Sequence, residues 1–227
     1  MSGTVIVVSG GMDAGELSGL HVPPARHVVA ADSGAATAHE LGLHVDHLIG
    51  DLDSVSDADH ARVVAGGGRI HRYPVAKDAT DLELALAFAV RLDPERIVVL
   101  AGTGGRLDHL LAGALLLASP AWDGADATRT RVEAWLGRAK ITVVRGPRVL
   151  TATAPGELVS LVAAGGVARG VSTDGLLYPL RGEDLAPGSS RGVSNEFTRT
   201  TATVSVAGGV ILAIQPGELG AHLAGEL

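Results

Sequence analysis

Residues 1–137 are expected to fold as an α/β domain around a mainly parallel sheet, and residues 138–227 as a domain of antiparallel strands. Three observations carry this expectation. In the first part, short β-branched runs alternate with segments of helical periodicity, the pattern of strand–turn–helix units. Those runs are apolar throughout, as strands buried on both faces are. After Gly137 the helical segments stop, and short, partly alternating runs separated by Gly, Pro and Ser take over, as in a β-sandwich or barrel.

Taken in order, Thr4 to Val8 reads as a buried strand that ends in the turn Ser9-Gly10-Gly11. His27 to Ala31 is a second strand, followed by Asp32-Ser33-Gly34 and a helix from Ala35 to Leu41 that Gly42 ends. Val45 to Ile49 is a third strand, running into Gly50-Asp51. Ser56 to Val64 is helical and stops at three glycines, and Arg69 to Tyr73 is a short strand before Pro74. Thr80 and Glu83 have the spacing of a capping box. They start a helix that runs to about Arg91, with Leu82, Ala85, Leu86 and Ala89 on its buried face. Arg96 to Leu100 is a strand, Asp108 to Ala118 a helix, and Arg131 to Leu136 the last strand of the sheet. The architecture expected for this part is Rossmann-like, with a doubly wound sheet. Beyond Gly137, strands are expected at Lys140 to Val144, Leu158 to Val162, Thr201 to Val206 and Val210 to Ile214.

Composition narrows the function. The 227 residues carry a net charge of −7 and no basic block, which disfavours nucleic acid as the main partner. There is no cysteine, hence neither a disulfide framework nor a thiolate metal site. No apolar run approaches the ~20 residues that span a bilayer and no charged leader precedes Val5, so a cytoplasmic protein without membrane contact is expected. The nine histidines lack the His-x-x-x-His spacing of zinc enzymes, and there is no Gly-x-Ser-x-Gly elbow.

The polar and glycine clusters fall at the carboxyl ends of the expected strands, where α/β sheets bind ligands. Gly10-Gly11, Asp32, Asp51 with Asp53, and Thr103 to Asp108 should share one rim. Asp51 and Asp53 either cap a turn or join Asp81, at the start of a helix, in holding a hard divalent cation such as Mg²⁺. Gly102-Thr103-Gly104-Gly105-Arg106 is either a plain glycine-rich turn or a phosphate cradle in which Arg106 supplies two parallel donors. Lys77 is either a solvated lysine or a point charge for phosphate. Asp108 could orient Arg106 or a metal-bound water, and His109 reads as a structural or capping residue. Together these groups suit phosphoryl-type transfer from a nucleotide.

With these residues in view, the chain resembles the thiamine pyrophosphokinase family over nearly its whole length. The resemblance lies in Ala31-Asp32-Ser33-Gly34-Ala35, Gly50-Asp51-Leu52-Asp53-Ser54, Lys77-Asp78-Ala79-Thr80-Asp81 and Gly104-Gly105-Arg106-Leu107-Asp108-His109. It continues in Val159-Ser160-Leu161, Thr173 to Leu180 and Ser194-Asn195-Glu196. It implies a catalytic α/β domain over 1–137 that binds ATP and Mg²⁺. It also implies a β-sandwich over 138–227 that binds thiamine and forms a homodimer, with active sites in clefts between subunits to which the partner contributes Tyr178. The implied reaction is attack of the thiamine hydroxyl on the β-phosphorus of ATP, giving thiamine diphosphate and AMP.

Carried over position by position, the resemblance makes Asp51, Asp53 and Asp81 metal ligands. Asp32, Lys77, Arg106 and Asp108 are then catalytic, beside the phosphates. Ser33, Gly34, Gly50, Thr103, Gly104, Gly105 and Arg106 line the nucleotide, and Thr80, Asp81, Tyr178, Ser194 and Asn195 the acceptor. Tyr178 would stack on the cationic thiamine rings. The chain departs from the common pattern with Ser33 in place of Gly, Leu52 in place of Phe, and Tyr178 in place of the Trp of some relatives. Other readings are a pyrophosphokinase for a pterin alcohol and a non-catalytic thiamine- or nucleotide-binding sensor.

Overall fold

A computed structural model describes residues 3–11, 16, 22–103, 106–122 and 130–217. The chain divides into two compact units, Met1–Leu116 with Ala121–Gly137, and Leu117–Pro120 with Arg138–Leu227.

The first unit holds six parallel strands: β1 (Thr4–Ser9), β2 (His27–Ala31), β3 (His47–Gly50), β4 (Arg69–Arg72), β5 (Arg96–Ala101) and β6 (Arg131–Leu136). Their spatial order is β4-β3-β2-β1-β5-β6. The chain thus steps outward from β1 to one edge, then returns to the other side of β1. Among the described residues four helices connect them: α1 (Gly34–Glu40), α2 (Asp57–Ala65), α3 (Asp81–Arg91) and α4 (Leu107–Leu116). Ile6, Val8, Ala30, Leu48 and Leu100 form one apolar cluster with Ala35 and Ala38 of α1 and Val63 of α2. The alternate positions Val5, Val7 and Val29 are equally buried, and α3 packs against β1, β2 and β3. Gly34 is required where α1 meets β1, because a Cβ there would stand 2.2 Å from the Val8 carbonyl oxygen.

Local chemistry explains the helix starts. Ser56 and Thr80 are extended N-caps, and their hydroxyls accept from the amides of Asp59 and Glu83. Such a cap contributes about 1 kcal/mol. Ala85, Leu86 and Ala89 of α3 are fully buried, and Leu86 alone gains about 2 kcal/mol by leaving water. Cap and apolar stripe together fix where Asp81, the first residue of α3, stands.

In the second unit β7 (Ala139–Val144), β8 (Arg148–Thr151), β9 (Leu158–Asp174), β10 (Arg181–Leu185), β11 (Asn195–Glu196), β12 (Thr201–Ser205) and β13 (Gly208–Gln215) pair antiparallel throughout. The expected strand Leu158 to Val162 is only the first third of β9. The remainder continues through Gly165 and Gly166, whose φ values of 73° and 155° let the strand bend. Its first half pairs with β13 and β11, and its second half pairs mainly with β10 and β12. Leu150, Leu161, Val171, Leu185, Phe197, Val204 and Ile211 are buried in one cluster inside this unit.

A row of imidazoles lies beneath α3. His27, His47 and His71 stand on β2, β3 and β4, with ring centroids 5.7 and 5.3 Å apart. Phe88 of α3 packs on His47 and His71 at 4.6 and 4.7 Å. Burial, then the neighbouring imidazoles, push the His47 pKa down; burial, then Arg69 and Arg91, do the same for His71. The unfolded chain therefore binds protons more readily than the folded one. Stability should be level above the unfolded pKa of about 6.5 and fall as the pH drops below it. The urea midpoint of the wild type should fall more steeply between pH 7.5 and 5.5 than that of His47→Phe; equal slopes would contradict the linkage.

Candidate functional site

Two adjacent strands deliver carboxylates at their carboxyl ends. Asp32 follows β2 directly, its amide bonded to the Ile49 carbonyl, and its φ is 47°. Asp51 follows β3 directly. Leu52, with φ 68°, separates it from Asp53. One carboxylate oxygen from each of Asp32, Asp51 and Asp53 lies within 4.8 Å of the other two. Asp81 approaches from α3. A Cβ on Gly50 would meet Asp81 Oδ1 at 3.0 Å and Asp32 Cβ at 3.2 Å, so the glycine keeps open the space between these two carboxylates.

The charges are only partly balanced. Lys77 Nζ donates to Asp51 Oδ2 at 2.7 Å and lies 3.1 Å from Asp81 Oδ1. The second contact is an ion pair to the buried Asp81 Oδ1. Asp32 Oδ1 is buried and accepts no hydrogen bond among the described residues. The Lys77 hydrogen bond holds Asp51 below the usual carboxylate range. Burial, and next the Asp81 charge, push Asp32 above it. A buried Asp32 oxygen without a donor and a buried Asp81 oxygen that faces only the Lys77 ammonium, in a group of four carboxylates served by that one ammonium, fit a hard divalent cation. The oxygen-only donor set suits Mg²⁺.

Other expected positions fall in three places. Ser33 sits at the start of α1 without a capping bond, its Oγ filling the space a Cβ on Gly10 would need. Thr80 spends its hydroxyl on the α3 cap. Arg106 and Asp108 pair with each other through two bonds, Nε to Oδ1 at 3.1 Å and Nη2 to Oδ2 at 2.5 Å, and both are exposed. That pairing pulls the Asp108 pKa down to about 2. Gly104 and Gly105 lie outside the described residues.

Two participants went unnoticed in the sequence. Glu16 accepts from the Thr103 amide at 3.1 Å and from its hydroxyl at 2.6 Å. A carboxylate on these donors demonstrates that the β5–α4 turn offers anion-accepting groups, but nothing in the local pattern links positions 16 and 103. Ser54 donates to Asp53 Oδ1 at 2.9 Å; its place directly after the acidic pair was the available signal.

In the second unit a cavity of about 400 Å³ is lined by Tyr178 and residues 189–195. Tyr178 is 55 % exposed, so its ring is open to a ligand. Its backbone is held on both sides by the buried Asn195 side chain, which accepts from the Tyr178 amide at 3.0 Å and donates to its carbonyl at 2.8 Å. Asn195 thus orients the aromatic and has its amide engaged with the chain. Ser194, with φ 56°, is anchored through its amide to the Ser160 hydroxyl.

The model of the catalytic domain of thiamin pyrophosphokinase matches residues 22–127, and that of the family's vitamin B1 binding domain matches residues 146–211. The chain belongs to the thiamin pyrophosphokinase family. A thiamine pyrophosphokinase of Bacillus subtilis is 26 % identical over 197 residues, 82 % of this chain and 86 % of that protein. The crystal structure of thiamine pyrophosphokinase from the same organism superposes with a TM-score of 0.77 at 24 % identity, covering 94 % of this chain and 99 % of that one. A family member from Enterococcus faecalis gives 0.75 at 25 % identity, covering 93 % and 98 %. The family's catalytic model spans the acidic group and the β5–α4 turn, and its vitamin B1 model spans the Tyr178 cavity.

The Lys77 ammonium is the charge that holds Asp51 and Asp81 together in this arrangement. Lys77→Met should lower the melting temperature in chelator, and millimolar Mg²⁺ should raise it more in the variant than in the wild type. Equal Mg²⁺ responses in thermal scans would show that ammonium and ion do not share these carboxylates.

Proposed function

We propose that the chain is an ATP:thiamine pyrophosphotransferase, giving thiamine diphosphate and AMP. The observation that carries the mechanism is the gathering of Asp32, Asp51, Asp53 and Asp81 around Gly50, at the carboxyl ends of strands in a sheet whose order reverses at β1. We read the first unit as a Rossmann-like, doubly wound nucleotide domain over 1–137, where ligands bind at such a reversal. We read 138–227 as a β-sandwich that binds thiamine. Apolar cluster and α3 on opposite faces of the sheet support the first reading, and the bent strand β9 the second.

Mg²⁺ would be held by Asp51, Asp53 and Asp81, with Asp32 beside them, and when bound it neutralises charge on the phosphate oxygens. The chain's own groups do the remainder. Thr103 offers its amide and hydroxyl to phosphate oxygens in place of Glu16, and Arg106 offers a forked pair of donors. Ser33, Gly34 and Gly50 allow backbone to approach the nucleotide closely. Tyr178 presents its ring to the cationic thiazolium, steadied by Asn195. The thiamine hydroxyl oxygen forms a bond to the β-phosphorus and gives up its proton to solvent, the bond from that phosphorus to the bridging oxygen of the α-phosphate breaks, and AMP carries that electron pair away. With a loose transition state, positioning and charge neutralisation account for most of the rate.

A homodimer is part of this reading. Leu107, Leu111 and Leu115 form a stripe on α4 that is 67, 55 and 61 % exposed, and α4 has no buried residue. A contiguous apolar stripe of this kind suits burial by a second copy. No helix among the described residues is long and apolar enough to cross a membrane, and we place the protein in the cytoplasm.

Incubation with ATP, Mg²⁺ and thiamine should yield AMP and thiamine diphosphate in equal amounts; ADP as the product would replace the pyrophosphotransferase reading with simple phosphorylation. Asp53→Ala and Asp81→Ala should abolish turnover in folded protein. Tyr178→Ala should raise the KM for thiamine much more than that for ATP, and equal changes would argue against stacking.

A further inference from the structure

Leu52 combines two properties that rarely coincide. Its φ is 68°, a left-handed conformation that costs a bulky side chain free energy and normally falls to Gly, Asn or Asp. Its side chain is nevertheless only 9 % exposed and belongs to the apolar cluster that contains Leu48, Ala35 and Val63. The two residues it separates are Asp51 and Asp53, whose carboxylate oxygens come within 4.8 Å of each other and of Asp32. In an extended strand, residues two apart share a face but stand well separated along it. Here the left-handed residue folds the chain back, so that the Asp53 amide approaches Asp51 Oδ1 at 3.5 Å. The Ser54 hydroxyl then holds Asp53.

Neither carboxylate has a covalent or apolar tie of its own. Asp53 is exposed, and repulsion between the two acidic groups acts to open the turn. The buried Leu52 side chain is the only part of Asp51-Leu52-Asp53 that reaches the core cluster. We infer that Leu52 is a positioning residue for the divalent-cation site: its buried side chain pins a left-handed turn that presents Asp51 and Asp53 to one ion. This inference rests on the metal role proposed for those carboxylates. It explains why a large apolar residue occupies a conformation that glycine would adopt without strain: glycine would supply the bend but not the anchor.

The test compares Leu52→Gly, Leu52→Ala and Leu52→Phe with the wild type. Mn²⁺ uptake is read by electron paramagnetic resonance without substrates, alongside kcat, KM and thermal unfolding. Loss of the anchor should weaken Mn²⁺ binding about tenfold or more in both the glycine and alanine variants. It should also lower kcat by about 10- to 100-fold, the range expected for misplaced catalytic groups, with the KM for thiamine unchanged. Leu52→Phe, which restores a large apolar anchor, should recover both. Glycine is informative because it removes the backbone strain: a glycine variant that binds Mn²⁺ like the wild type, or a phenylalanine variant as impaired as alanine, overturns the inference. A wild-type chain that takes up no Mn²⁺ instead overturns the metal role itself.

Discussion

Four carboxylates crowd the carboxyl ends of two neighbouring strands and one helix start, and one ammonium stands among them. That repulsion is the constraint to which the rest of the first unit answers. Lys77 lies within 3.1 Å of both Asp51 and Asp81, yet Asp32 and Asp53 have no cation paired with them among the described residues. Asp32 is driven above the ordinary carboxylate range by burial and by Asp81. A fold that keeps such a group together without a ligand must hold its backbone firmly elsewhere. The fully buried strands β1, β2 and β3 and the apolar stripe of α3 do this.

The backbone at the site is correspondingly unusual. Asp32 and Leu52 are two of the four non-glycine residues with positive φ among those described, and both lie in this group. Gly50 lies between them, with φ 150°, and a Cβ there would press on Asp81 Oδ1 at 3.0 Å. Strained conformations persist where surrounding packing over-determines them. The packing here is specific: the Asp32 amide is tied to Ile49, and the Leu52 side chain is sunk in the core cluster. The strain falls on residues that set the direction of a carboxylate.

Much of this was legible in the sequence because each signal was local. Thr80 with Glu83, the apolar run before Gly50, and the glycines after Val64 marked element ends to within a residue or two. What escaped was non-local or contrary to pattern. Strand β10, Arg-Gly-Glu-Asp-Leu, is mostly exposed and shows no apolar alternation. The second half of β9 was hidden because glycines 165 and 166 read as a strand end but act as a bend. The helix expected to reach Ala118 stops at Leu116. Lys77 read as a surface or phosphate-holding lysine, whereas it is largely buried between carboxylates 26 residues apart in one case and four in the other. Pairings across such distances leave no trace in a periodicity.

The second unit solves a different problem with the same means. An aromatic that is to face a cation must stay exposed, and an exposed side chain on a loop has many rotamers and a mobile backbone to immobilise. Tyr178 keeps more than half its surface in solvent, but its peptide groups are clamped by Asn195, which is 2 % exposed. Asn195 in turn lies on β11, paired with β9. Order is imposed on the main chain, where it costs the ring none of its open face. The clamp also gives Asn195 a reason to be buried that owes nothing to contact with a ligand. The oxygen and nitrogen of its one side-chain amide satisfy the polar backbone of the Tyr178 turn, and an apolar residue of the same size would leave that backbone with neither donor nor acceptor. As with Leu52 in the first unit, the residue that touches the core differs from the residue for which a ligand-binding role is proposed, and the short span between them carries the geometry.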